Sequence, residues 1–334
     1  MSVGSVAVGL ILGVAYFLYV DKKKKTEKLA KECSYGCPIA YDILKERNNY
    51  KTLKESFLDF TSPADRYFYS VSISRTFSLK ALKEWVDEEP SSADGLLCYG
   101  ARVLQWAWEA RGYGLGSQVS EKNAQKYFKR LEIARSVLLR CAEKRPTDPT
   151  PWAYLIMVST WSSDKEEVER YYFSQAMKRD PENWAAHMHM IIALSEKWGG
   201  SHKKMIEFSE QASANASEGS DIAGIVVKAY IEYWKYLVMF EGDPESAKNY
   251  IESDEVKNKV IVAYERSLGS EQHSASKATV FARYNFSGWF WVVRDKARLR
   301  SEFDQLGNSI EDIHWRWVST EGELDSAQLF SRKH

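Results

Sequence analysis

The first apolar stretch of the chain stands apart from everything that follows it. Residues 3–20 carry no charged side chain, and a run of four lysines begins at Lys22. An eighteen-residue helix spans about 27 Å, close to the hydrocarbon thickness of a bilayer. No basic region precedes the stretch and no small-x-small cleavage site follows it, which favours a retained anchor over a signal peptide. The pattern predicts one transmembrane helix, with an anchor and tail at 1–21 and a basic juxtamembrane linker at 22–37.

The flanking charges predict the orientation of this anchor. Lys22, Lys23, Lys24 and Lys25 lie on one side of it, whereas the amino-terminal side has no lysine or arginine. Since basic flanks remain in the cytoplasm, we expect the rest of the chain on the cytoplasmic face. The same lysines are expected to contact the membrane surface, where each attracts anionic lipid by about 1 kcal/mol. The alternative is that they act only as a topology signal.

Small residues line one face of the predicted anchor. Ser5, Gly9 and Gly13 follow one another at four-residue spacing, which lets two membrane helices approach closely. Self-association through this face is therefore one hypothesis, with the lipid bilayer as the other partner of the segment. Because glycine is common in membrane helices, the spacing also has a simpler explanation.

Beyond the linker, apolar residues recur with helical spacing in segment after segment. Convincing alternating strand pairs and Asn-Gly hairpin turns are absent from the sequence. Helices are expected to begin at Pro63, at Leu79 and after Ser92, where proline or a capping serine suits a first turn. The pattern predicts an all-α domain over 38–318, followed by a polar tail at 319–334.

The centre of this domain repeats. Asp-Pro pairs at 148–149 and 180–181 are each followed by a tryptophan, Trp152 and Trp184. Aspartate is a good N-cap and proline suits the first helical position, so each pair is expected to begin a helix. Between the two starts we expect two helices, roughly at 151–161 and 164–178. A helical hairpin of this length predicts a TPR-like repeat, that is, an α-solenoid.

Two family resemblances support this prediction. Trp152 and Leu155 resemble the start of a tetratricopeptide repeat (TPR), although Ile156 replaces the usual small residue. The region from 101 to 306 resembles a bacterial family of uncharacterised proteins with TPR-like helices, which implies an α-helical repeat fold and a bacterial source but no function. The resemblance rests on the segments at 106–112, 130–152, 176–205, 263–268 and 283–307. Where that family often has Gly-Asp before its last helix, this chain has Arg294 and Asp295.

Composition excludes some functions and leaves others open. The chain has 46 basic and 46 acidic residues, and this neutral balance argues against a general nucleic-acid binder. Cys33 and Cys37 form a C-x3-C pair, for which we expect two reduced thiols in the cytoplasm. A disulfide there would indicate the opposite topology, and a metal site would need further ligands that are not apparent nearby. Cys98 and Cys141 fall within apolar helical patterns and are expected in the core. No metal or cofactor is predicted.

The most site-like stretch is KWGGSHKKM, from Lys197 to residue 205. A helix start beside two glycines can hold an anion, but the same residues are what an ordinary helix–helix turn requires. Tryptophan and arginine are favoured at interfaces, so this stretch and the end of an earlier helix define a candidate groove. Its residues are Trp108, Arg111, Lys197, Trp198 and His202.

No motif for a nucleophile, a nucleotide or a metalloprotease occurs, and no catalytic residue is predicted. The leading hypothesis is a membrane-anchored scaffold that binds a protein or peptide at the cytoplasmic face of a bacterial inner membrane. The alternative is a small-molecule sensor or an enzyme with a pocket between helical hairpins.

Overall fold

The computed structural model describes residues 49–56, 62–112, 118–160, 165–307 and 324–332, together with Trp315 and Val318. Every regular element in these ranges is helical, which confirms the prediction of an all-α protein. None of the helices so described is long and apolar enough to cross a bilayer. The predicted anchor and linker lie outside the described ranges, and with them Ser5, Gly9, Gly13, Lys22, Lys23, Lys24, Lys25, Cys33 and Cys37.

The described residues form fifteen α-helices. The first eight are α1 (Tyr50–Ser56), α2 (Pro63–Thr76), α3 (Leu79–Glu88), α4 (Ala93–Arg111), α5 (Glu121–Lys144), α6 (Thr150–Ser159), α7 (Lys165–Met177) and α8 (Trp184–Leu194). The others are α9 (His202–Asn215), α10 (Val226–Tyr236), α11 (Pro244–Ile251), α12 (Asp254–Arg266), α13 (Thr279–Val292), α14 (Lys296–Leu306) and α15 (Leu324–Arg332). Short 3-10 segments at Glu196–Trp198 and Asp221–Gly224 precede α9 and α10, and a π-helical turn at Leu237–Glu241 follows α10.

Serine and proline set the helix starts as the sequence predicts. Pro63 begins α2, and the Ser78 and Ser92 side chains accept hydrogen bonds from the first turns of α3 and α4. Ser201 caps α9 in the same way, so the stretch at 197–205 contains the helix–helix turn that its composition suggested. These caps satisfy backbone N–H groups that have no partner within the helix.

The aspartates of the two central Asp-Pro pairs are not N-caps, although the sequence predicts that each caps a helix. The cap position of α6 is Pro149, so the prediction for Asp148 is wrong by one residue. Asp148 Oδ1 accepts a hydrogen bond from the backbone N–H of Thr150, the first residue of α6. The prediction that Asp180 caps a helix is also wrong, because α8 begins only at Trp184, four residues later. Asp180 instead accepts from the backbone N–H of Glu182, and the Asn183 side chain is the true cap of α8. The carboxylate therefore stabilises a turn, and the amide that follows it begins the helix.

Helix α10 lies between the two main parts of the core. Ile225 and Ala229 pack with the residues of α2 and α4–α9, whereas Val227 and Ile231 pack with those of α11–α15. A helix enclosed on both sides is apolar around most of its circumference, as the start of α10 is. Cys98 and Cys141 are both buried, as expected for small core residues.

Helix α2 covers the neighbouring helices α6 and α8. Arg66 Nε donates to Asp148 Oδ2 over 2.8 Å, and the hydroxyls of Ser70 and Tyr154 lie 2.8 Å apart. His189 Nδ1 lies 2.7 Å from the carbonyl of Ala153, and because a carbonyl can only accept, this nitrogen carries the proton. The second ring nitrogen of His189 therefore accepts from the Tyr67 hydroxyl, 2.8 Å away. Hydrogen-bonded side chains thus attach α2 to α8 and to the beginning of α6.

The turn between α13 and α14 forms with arginine in place of glycine. Arg294 adopts a φ of 61°, in the left-handed region that glycine enters without strain. Its guanidinium carbon lies 3.8 Å from the ring centroid of Trp291, and Asp295 caps α14. The cation–π contact stabilises the arginine side chain in this turn.

Candidate functional site

A cleft of about 340 Å³ opens at the amino end of α8. Four elements enclose it: the start of α2, the turn before α8, the loop after α9 and the loop before α13. The volume lies within the range of small-molecule or side-chain pockets. The polar lining residues are Asp180, Glu182, Asn183, Ser217, Glu218, Ser220, Asp221, Gln272, Ser274 and Ser276.

A glycine brings two of these loops into contact. Gly219 has a φ of 81°, and a Cβ placed on it would lie 2.6 Å from the backbone of Gln272. Its N–H donates to the carbonyl of Arg266, and its own carbonyl lies 2.8 Å from Nδ1 of His273. No other residue type combines this backbone conformation with such a close approach. Gly219 therefore fixes the floor of the cleft where the loops after α9 and before α13 meet.

The charge of the cleft is negative. Four carboxylates and no lysine or arginine are among its described lining residues, and one of the four, Glu218, pairs with Arg266 behind the cleft at 3.6 Å. Their partners are mainly neutral: Glu182 Oε1 accepts from the backbone N–H of Ser217 over 2.7 Å. Asp221 Oδ2 accepts from the hydroxyls of Ser276, over 2.8 Å, and Thr279, over 3.0 Å. Neutral donors leave a carboxylate its negative charge, so the cleft suits a cationic or hydrogen-bond-donating group.

Burial and hydrogen bonding act in opposite directions on these carboxylates. Burial acts to raise the pKa of Glu182, but hydrogen bonds from Ser217 and Ser220 outweigh it and hold that pKa below its usual value. Burial raises the pKa of Asp221, and the hydroxyls of Ser276 and Thr279 oppose that change only in part. Glu182 is thus the better anion at neutral pH. Within the described ranges, no three His, Cys, Asp or Glu residues are grouped to hold a metal ion.

Three of the five predicted groove residues come together elsewhere. The rings of Trp108 and Trp198 meet edge to face with centroids 5.4 Å apart. The guanidinium carbon of Arg111 lies 5.7 Å from the Trp108 centroid and 5.2 Å from that of Trp198. These contacts form a cation–π cluster at the carboxyl end of α8, at the opposite end of that helix from the cleft.

The other two predicted residues face α10. Lys197 Nζ lies 2.6 Å from Glu232 Oε2. The His202 ring packs on Tyr233 and Tyr236, with centroid distances of 4.4 and 4.3 Å, and burial lowers its pKa. None of the five predicted residues lines the cleft. The sequence thus identified residues that pack around the turn after α8, and it missed the residues of the cleft.

Sequence patterns give only a weak signal for the cleft. Its loops, at 217–222 and 272–278, are rich in serine and acidic residues, which is typical of surface loops in general. A second missed feature has a clearer signal. Lys228, Glu232 and Lys235 interrupt an apolar helix at helical spacing, and charges in such a helix are unusual unless they are paired.

A comparison with protein-family models, curated proteins and solved structures gave no match to this chain.

Proposed function

We propose that this protein is a membrane-anchored helical-repeat protein that binds a protein or peptide segment at the cytoplasmic face of a bacterial membrane. The uncharged residues 3–20 and the lysines after them support the anchor and its orientation. Self-association through Ser5, Gly9 and Gly13 belongs to the same proposal, and crosslinking of Gly9→Leu and Gly13→Leu variants tests it. Dimers that persist in both variants would contradict it.

The packing of α6 and α8 supports a TPR-like repeat. These helices follow the Asp-Pro pairs that are 32 positions apart in the sequence, and they pack directly on each other. Each also packs on α7, the second helix of the first hairpin. First helices of successive hairpins make contacts of this kind in solenoids. Because α2 covers part of this stack, the binding surface we propose is the cleft at the helix ends.

The negative cleft is the observation that carries the proposal. It is concave, it joins loops from both parts of the core, and its carboxylates are bound mainly by neutral donors. A lysine or arginine side chain of a partner segment would supply the missing positive charge and donate several hydrogen bonds. The partner class that follows is a basic peptide segment.

Peptide binding tests the function directly. A fluorescent peptide of alternating lysine and glycine should bind the detergent-solubilised full-length chain saturably, and a glutamate–glycine peptide should not. Glu182→Gln and Asp180→Asn should each weaken binding by about tenfold, whereas Glu207→Gln, on an exposed ion pair outside the cleft, should leave it unchanged. Equal binding of both peptides, or no effect of the cleft variants, would contradict the proposal.

Fractionation tests the anchor separately. The full-length chain should remain in membranes after alkaline carbonate extraction, and a chain lacking residues 1–21 should not. In intact inverted membrane vesicles, protease should digest the helical domain, because that domain faces the cytoplasm. Protection of the domain in these vesicles would place it on the other side.

The alternative, a sensor or enzyme with a pocket between hairpins, depends on Trp108, Arg111, Trp198 and His202 lining one cavity. The first three contact one another, whereas His202 packs on the tyrosines of α10. This arrangement favours a packed cluster over a pocket.

A further inference from the structure

One wall of the cleft at the amino end of α8 is aromatic. Phe68 and Trp184 line it, with ring centroids 5.5 Å apart. Phe281 packs on both rings, with its centroid 4.9 Å from that of Phe68 and 5.3 Å from that of Trp184. Among the aromatic lining residues Tyr67 and Phe68 are buried, whereas Trp184 is partly exposed. The phenylalanines therefore hold the indole of Trp184 in place, and this indole is the aromatic surface that a ligand in the cleft can contact.

Carboxylates of the same turn line the cleft beside this ring. Asp180 and Glu182 precede Trp184 by four and two residues, and all three are lining residues. Asp180 Oδ1 accepts from the backbone N–H of Glu182 over 3.2 Å, and Glu182 Oε1 accepts from that of Ser217 over 2.7 Å. Such bonds fix the carboxylates without cancelling their charge. A ligand that reaches Trp184 therefore meets an aromatic ring and negative charge within one cavity.

The described lining of the cleft supplies no cation for this ring, since it contains neither a lysine nor an arginine. Elsewhere in the described chain, arginine side chains lie over tryptophan rings. The guanidinium carbon of Arg130 is 3.6 Å from the centroid of Trp106, and that of Arg179 is 4.9 Å from the centroid of Trp152. These pairs show the approach that the guanidinium of a partner segment would make to Trp184.

A guanidinium suits this arrangement better than an ammonium group does. It is planar, so one face can lie on the indole while the N–H groups at its edge donate to a carboxylate in fixed directions. An ammonium group is a compact and strongly hydrated charge, and contact with the indole costs it more of its water. The cavity of about 340 Å³ is at the small end of ligand pockets, which suits a single side chain.

We propose that the cleft prefers arginine to lysine, with the guanidinium on the indole of Trp184 and its N–H groups directed to the carboxylates of the cleft. This preference rests on the proposed peptide-binding function and narrows the partner class to arginine-containing segments. The carboxylates supply the attraction that both basic side chains share. Trp184 is then the residue that determines specificity, because only the guanidinium gains a planar contact with it.

Two basic peptides that differ only in their cation test the preference. Fluorescent peptides of alternating arginine and glycine, or of alternating lysine and glycine, have the same length and charge. Each is titrated with the detergent-solubilised full-length chain and followed by fluorescence anisotropy. The arginine–glycine peptide should bind about fivefold more tightly, which is the size expected of one partly exposed cation–π contact.

Substitution of the tryptophan tests its role. Trp184→Leu keeps an apolar side chain but removes the aromatic face, so the affinity for the arginine–glycine peptide should fall to that for the lysine–glycine peptide. Trp184→Phe should retain part of the preference, because phenylalanine binds cations less strongly than tryptophan does. Trp106→Leu, outside the cleft, is the matched control and should leave the preference unchanged. Helical circular dichroism checks the folding of each variant.

Small cations test the same point on the unaltered chain. Butylguanidinium and butylammonium have the same alkyl group and the same charge, and each is added to the complex with the arginine–glycine peptide. Butylguanidinium should displace the peptide at about fivefold lower concentration. Displacement by both cations at the same concentration would contradict the preference without any substitution in the protein.

The outcomes separate this preference from the function on which it rests. Equal saturable binding of the two basic peptides, or a preference that Trp184→Leu leaves intact, would overturn the proposal, and the peptide-binding function would stand. Failure of both peptides to bind would overturn the function and the preference together.

Discussion

The two ends of α8 carry the same kind of residue in opposite surroundings. At the amino end, Glu182 and Asp221 accept hydrogen bonds mainly from hydroxyls and a backbone N–H. At the carboxyl end, both oxygens of Glu232 accept from lysines. The helix between them has eleven residues and is about 16 Å long, so the two environments are close together.

The difference shows that the partner of a carboxylate decides whether its charge is cancelled. Neutral donors stabilise a carboxylate without cancelling it, and the cleft remains negative. Ammonium groups cancel it, as those of Lys197 and Lys228 do at Glu232.

The largest effect is expected from removing the charge of Glu232. In Glu232→Gln, the buried ammonium of Lys228 loses its counter-ion, and breaking a buried pair costs about 3–5 kcal/mol. Glu182→Gln, which keeps an acceptor for the N–H of Ser217, should cost about 1 kcal/mol. Urea unfolding of both variants measures the two free energies of unfolding. Equal losses of unfolding free energy would mean that stability does not depend on whether a carboxylate is bound by lysines or by neutral donors.

A third carboxylate extends the comparison, because neither neutral donors nor a closely paired lysine stabilise its charge fully. Glu169 of α7 is 1% exposed, and its Oε1 makes no hydrogen bond within the described residues. Lys165 Nζ lies 3.9 Å away and donates instead to the carbonyls of Ala193 and Trp198. Burial raises the pKa of Glu169 to about 7, although Lys165 acts in the other direction.

This raised pKa predicts how stability depends on pH. Because the folded protein holds the Glu169 proton more tightly than the unfolded chain, its contribution is complete below about pH 4.5. It is lost as the pH rises towards about 7, by about 3 kcal/mol in total. Glu169→Gln should remove this part of the dependence. The measurement is the free energy of unfolding from pH 4.5 to 8, and identical slopes for the two proteins would contradict the prediction.

A smaller effect is expected where neutral hydrogen bonds attach α2 near the cleft. Tyr67→Phe leaves the Nε2 of the buried His189 without its donor, which should cost about 1–2 kcal/mol. Burial lowers the pKa of His189 to about 4, so at neutral pH the ring does not compensate by taking up a proton. Tyr171→Phe, at an exposed tyrosine, is the control and should change the free energy of unfolding very little.

The smallest effect is expected at an exposed ion pair. Lys204 and Glu166 are both about half exposed, and pairs of this kind contribute less than about 0.5 kcal/mol. Lys204→Met should therefore leave the urea midpoint almost unchanged. A loss of unfolding free energy comparable to that of Glu232→Gln would contradict the prediction that a buried ion pair contributes more to stability than an exposed one.

Local signals in the sequence predicted several of the helix starts. Ser78, Ser92 and Ser201 cap helices because a serine hydroxyl reaches the free N–H groups of the next turn whatever surrounds it. Asp243 and Pro244 begin α11 in the same way. The pair at 180–181 does not begin a helix, because Asn183, three residues after Asp180, is the N-cap instead. The sequence pattern alone does not tell which of the two residues caps the helix.

The same distinction holds for the candidate site, where residue types were visible in the sequence and contacts between distant loops were not. Tryptophan and arginine near the turn after α8 stood out by residue type, and three of them do cluster. The cleft did not stand out, because it joins loops that are separated by about fifty residues and contain ordinary loop residues. Gly219, with a backbone that approaches Gln272 closely, and Asp221, which accepts from Ser276, bring those loops together.

The sequence by itself determined the all-α class and several serine caps, because helical periodicity and capping depend on residues within one or two turns. The tertiary structure decided which charged residues are buried and beside what. The sequence shows that Lys228 interrupts an apolar helix, but its burial follows from the position of α10 between two parts of the core. Charge and burial at a site depend on residues distant in sequence, and neither periodicity nor composition records those contacts.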